Sequence, residues 1–171
     1  MPEALAVRAL ALAQYPVTHV AWFDAQGYAA WAGKQLPTEA QWARAAYGGE
    51  GDSDQYAWGD EFKPQGTQVR KVGGAPVDKV ASSGCLDMSS NVSEWTRTPL
   101  VPTGNTPDFG DHMVVRGGSF ARPRVLLSES KEYPFEHRAD HLGFRCVREL
   151  PVDAARVLAL LDGAPGGYGG N

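Results

Sequence analysis

Cysteine is scarce in this chain of 171 residues: there are two, Cys85 and Cys146, far apart and outside any CxxC pair. That excludes a disulfide framework and argues against a structural zinc site. One bridge between them and two buried free thiols are both open, and free thiols are favoured for an intracellular chain. Long apolar runs are missing too. The Ala/Leu-rich stretch from Ala4 to Ala13 is interrupted by Arg8 and lacks a basic flank. It reads poorly as a signal peptide and is too short to span a membrane, so a cytoplasmic location is expected. Nor is there a block of like charge. A net charge of −4 leaves neither a cationic surface for nucleic acid nor a polybasic patch for a membrane, and neither is an expected partner.

What is abundant is punctuation: 20 Gly and 12 Pro predict a loop-rich single domain with little room for long helices. Three parts are expected: an N-terminal helical segment over 1–16, a domain over 17–150, and a short helix with a disordered Gly-rich tail over 151–171. Within the domain one helix starts near Ala21, with Trp22, Ala25, Ala29 and Ala32 on one side and Gly33 as its left-handed stop. Another starts at Thr38, where Thr38 and Gln41 form a capping box after Pro37. From Gly49 to about Gly110 there is no sustained period, and buried tryptophans (Trp58 and Trp95) are expected to hold a loop core together. Strands are expected over Met113 to Arg116 and Leu142 to Val147.

Four segments carry a resemblance. They are Val20 to Ala25 running into Gly33 to Trp42; Tyr56-Ala57-Trp58-Gly59-Asp60; Gly84 to Thr96, which contains Asp87-Met88-Ser89-Ser90-Asn91-Val92-Ser93-Glu94-Trp95; and Val115 to Phe120 with Leu142 to Cys146. In this order and spacing the chain resembles the formylglycine-generating-enzyme (sulfatase-modifying factor) family from Val17 to Arg148. The resemblance implies an α+β, C-type-lectin-like fold: two helices packed on a small twisted antiparallel sheet, with long ordered loops. Relatives open with a Gly-rich strand that has no counterpart here. Where that strand is missing, the one over Leu142 to Val147 is expected to have an open edge, and a truncated family member and one completed by another chain are both open readings.

The resemblance also frames the chemistry. In the family's oxidase two cysteines follow the Gly-Gly-Ser turn and bind copper as thiolates. Here those positions hold Arg122 and Leu127, and no cysteine lies between Cys85 and Cys146, so copper chemistry is not expected. Iron is not expected either: His137 and His141 are the one His pair with helical ligand spacing, and no third ligand is evident. The family's calcium loop is matched by Asn91, Val92 and Glu94, while the alternative is that Asn91 sets a turn and Glu94 accepts from loop amides. At the family's substrate cleft stand Trp58, Ser119, Phe120, Arg122, Arg124 and His141, whose two arginines suit a carboxylate or phosphate. Arg145 and Trp95 read as framework, and Asp24, Glu39 and Asp60 as cap and loop residues. The favoured function is a non-catalytic module that binds a small molecule, a peptide or a partner chain. The alternatives are a superfamily oxidoreductase with altered or partner-supplied metal chemistry, of the ergothioneine-synthase kind, and a lectin-like variable binding protein.

Overall fold

The computed structural model describes residues 12–47, 55–59, 61–64, 66–74, 78–80, 83–100 and 111–149. The helical segments expected over 1–16 and 151–171 lie almost wholly outside these residues. Helix α1 is Trp22–Trp31 and α2 is Glu39–Tyr47; the strands are β1 Ser93–Pro99, β2 His112–Arg116, β3 Ser130–Pro134 and β4 Leu142–Phe144.

Helix α1 begins at Ala21, which has no side-chain acceptor; Asp24 supplies half of a capping box by accepting the Ala21 N–H at 3.0 Å. Ala25 and Ala29 are fully buried, and such small side chains let the helix lie close to the sheet. The Trp22 indole donates to the Thr96 carbonyl in β1 at 2.8 Å, which fixes the helix on the strand. Gly33, at φ +66°, ends the segment as the left-handed stop expected of it. In α2 the full capping box is present: Thr38 Oγ1 accepts from Gln41 N at 3.0 Å, and Gln41 Oε1 accepts from Thr38 N at 2.9 Å.

The four strands form one sheet in the order β3-β2-β1-β4. The expected antiparallel sheet is found in two of its three pairings, β1 with β2 and β2 with β3; β4 runs parallel to β1. A parallel neighbour needs a long return connection, and the 42 residues between Pro99 and Leu142 allow one. β4 is also shorter than expected, three residues, followed by a single bridge from Val147 to Gln35. Two cores result. One joins α1 to the sheet through Ala25, Ala29, Leu36, Trp95, Val115 and Leu142. The other lies under α2 and holds Trp42, Ala46, Val80, Met88 and Leu127.

The loop region is held differently from expectation. Trp95 is buried, but Trp58 is only half-buried. Its place as an anchor is taken by Asp78, a fully buried carboxylate that accepts from Ser89 N and from the Ser90 hydroxyl. Its backbone carbonyl accepts from Asp87 N at 2.9 Å. Cys85 and Cys146 are both free and half-buried, each beside a different core.

Candidate functional site

Two glycines make the turn after β2 possible. Gly117 sits at φ +82°, and a Cβ on Gly118 would run into the Ser89 carbonyl oxygen. Ser119 and Arg122 then close a tight loop: each backbone N–H bonds the other's carbonyl at 3.0–3.1 Å, and Ser119 Oγ accepts from Arg122 N at 3.1 Å. Phe120 N donates to the Asn91 carbonyl at 3.0 Å and Ser93 Oγ to the Gly117 carbonyl at 3.1 Å. The Gly-Gly-Ser turn is thereby stapled to the Asn91 loop. Arg122 is exposed beyond it, and its guanidinium makes no hydrogen bond or ion pair among the described residues. Leu127, by contrast, is a core residue under α2.

Contacts sort the six cleft residues into three groups. Trp58 stacks on Tyr56 (5.2 Å, 9°), Phe62 lies 5.9 Å from Tyr56, and the Arg124 guanidinium sits 4.3 Å over Phe62. This aromatic patch with a cation on it unites Trp58 and Arg124. Ser119, Phe120 and Arg122 form the turn. His141 stands at the start of β4, where its Nδ1 faces Asp140 Oδ1 at 3.0 Å and its carbonyl accepts from Ser93 N. His137 and His141 are not on a helix: His137 stacks on Tyr133 at 4.4 Å. Burial, and then the neighbouring His141, hold the His137 pKa below its usual value.

The Asn91 loop is a network of charge. Asn91 is left-handed (φ +65°); its Oδ1 accepts from Arg70 N at 3.1 Å, and its Nδ2 donates to the Arg70 carbonyl. Glu94 is not bonded to loop amides. Its carboxylate accepts from the Trp42 indole at 2.7 Å and takes a two-pronged bond from Arg145, one prong at 2.7 Å. Burial works against the charge on Arg145, but Glu94 beside it outweighs that and raises the guanidinium pKa above its usual value. Arg145 spends one further bond on the Leu86 carbonyl at 3.0 Å. Beside this pair lies a cavity of about 340 Å³ lined by Asp87, Asn91, Val92, Glu94 and Arg145, among others. Asp87 is 6% exposed and left-handed; its Oδ2 accepts from Gly73 N at 2.7 Å, while its Oδ1 is buried with no partner among the described residues. An orphaned carboxylate oxygen is a hard donor of the kind calcium takes; Asn91 turns its Nδ2 toward Asp87, while its Oδ1 accepts from Arg70 N.

The comparisons with known proteins agree with this framework. The model of the sulfatase-modifying factor enzyme 1-like domain matches residues 3–150. The chain belongs to that family. A formylglycine-generating enzyme from Thermomonospora curvata is 35% identical over 174 residues, covering 79% of this chain and 56% of that protein. A mouse protein named inactive C-alpha-formylglycine-generating enzyme 2 is 33% identical over 156 residues, covering 78% of this chain and 49% of that protein. The chain thus spans about half the length of the curated relatives it matches. Among solved structures, CarF superposes with a TM-score of 0.64 at 22% identity, over 80% of this chain and 69% of that one, a likeness of fold. Within this sulfatase-modifying factor domain the residues missed by sequence reasoning are Asp87 and Asp78. Asp87 stands inside the matched segment, and the burial that gives both acids their role has no local signature.

Proposed function

We propose that this sulfatase-modifying factor domain is a non-catalytic ligand- or protein-binding module. The observation that carries this is the fate of the two positions where the oxidase places its thiols. One is Leu127, committed to the core; the other is Arg122, an exposed cation with no partner among the described residues. The Gly-Gly-Ser turn that precedes them is built, while the soft sulfur donors are replaced by a core residue and by a group suited to an anion. A relative named as inactive at 33% identity is in keeping with this reading, and relatives named as enzymes at similar identity make the residues, not the family, decisive. Calcium has a structural part in the proposal. Asp87 and Asn91, with the Val92 carbonyl, would hold the ion, with Glu94 beside them in its neutralising pair with Arg145. The ion would tie the Asn91 loop to the Gly-Gly-Ser turn through the Asn91–Phe120 bond.

Metal analysis after exchange against calcium and, separately, anaerobic Cu(I) tests both parts at once. The expected result is one bound calcium, lost in Asp87→Asn, and no copper resistant to a competing chelator. Tight stoichiometric copper would overturn the binding-module reading; calcium retained in full by Asp87→Asn would overturn the assigned ligand.

A further inference from the structure

Among the described residues the sheet has an open side at β3, whose ladder partner β2 lies on one side only. Residues that bond β2 alternate with residues whose backbone N–H and C=O face away. The Phe135 N–H bonds the Asp111 carbonyl at 2.8 Å, so Tyr133 and Lys131, in step with it, face β2. Ser130 and Glu132 then present N–H and C=O outward, and Pro134 falls on an outward position where its missing N–H costs the ladder nothing. Neither Ser130 nor Glu132 makes a backbone bond on that side among the described residues. A groove of about 330 Å³ runs along this edge, lined by Ser130, Lys131, Glu132 and Tyr133 and, from the other wall, by Arg122. Lys131, like Arg122, has no ion pair among the described residues. Glu132, the exposed acid on the strand, lines the same groove, so the two cations leave its ionisable lining net positive.

We propose that the edge of β3, with Arg122 across the groove, takes an acidic peptide in extended form as a fifth strand. Unpaired backbone groups at alternate residues supply a register, and two free cations supply the sign of charge. Against a chain of net charge −4 an acidic partner gains nothing from long-range attraction, so recognition must come from this local pair. The inference rests on the binding-module reading and names the class of its ligand.

Fluorescence anisotropy with a labelled hexapeptide of alternating Thr and Glu tests it. The expected result is saturable binding, about tenfold weaker for Arg122→Gln and for Lys131→Gln. Binding should be lost when alternate peptide nitrogens are methylated, which removes strand bonds and leaves the charge. Equal binding of the methylated peptide, or competition by inorganic phosphate as effective as by unlabelled peptide, would show an anion site without strand addition and overturn the proposal. Absence of any peptide binding would overturn it too, while leaving the copper and calcium results, and the reading they test, untouched.

Discussion

Asp78 shows how one residue fastens a loop that lacks regular structure. Burial pushes its pKa above the ordinary 3.8, outweighing the bonds from Ser90 and Ser89 that pull it down. The raised native value sets the sign of the pH dependence. Below 3.8 both folded and unfolded chains carry the proton and burial of the acid is not penalised. As pH rises through the window above 3.8 the unfolded chain sheds its proton first, so this residue's share of stability falls and stays low at neutral pH. Asp78→Asn should therefore be at least as stable as the parent at neutral pH, with the difference closing as pH falls toward 3.8. Asp78→Ala, which orphans the Ser89 N–H and the Ser90 hydroxyl, should lose about 1–3 kcal/mol. Urea midpoints across pH decide it; an equal loss in both variants would show that the charge itself is needed.

Elements were legible in the sequence where their causes are local. The capping box of Thr38 and Gln41 lies within one turn of helix, and so do Gly33 and the alanine face of α1. The strands β1 and β3 were not legible. Ser130–Pro134 carries Lys131 and Glu132 in a half-exposed edge with no apolar alternation, and Ser93–Pro99 lies in a stretch whose pattern predicts loop with short strands but places none of them. The parallel pairing of β4 with β1 joins residues about 49 apart, and nothing short-range records it. The candidate site divided the same way: the Gly-Gly-Ser turn was visible, while the unpartnered Asp87 oxygen and the Arg145–Glu94 pair exist only after folding. Elements also differ in what a substitution costs. Thr38→Ala should lose about 1 kcal/mol, the worth of one cap. Gly118→Ala should lose more, because the added Cβ meets the Ser89 backbone, which cannot swing aside. Chemical denaturation of the two variants measures the order, and a smaller loss for Gly118→Ala would mean that the turn and the Asn91 loop are not in close contact.

At the scale of the whole molecule the family scaffold is what the described residues build. Its two cores, its mixed sheet and the stapled Gly-Gly-Ser turn support the same framework that the 3–150 match identifies. No helix among the described residues is long and apolar enough to cross a membrane. The proposed binding-module function rests on two side chains, Arg122 and Leu127, and Leu127 is core. The most direct measurement is turnover of a cysteine-containing peptide by the purified protein with Cu(I) and oxygen, followed by mass spectrometry. The account predicts that the peptide cysteine is recovered unchanged at every time point. Its conversion to formylglycine, at a rate proportional to protein concentration, would contradict the account, because Arg122 and Leu127 would then stand where thiols are not required.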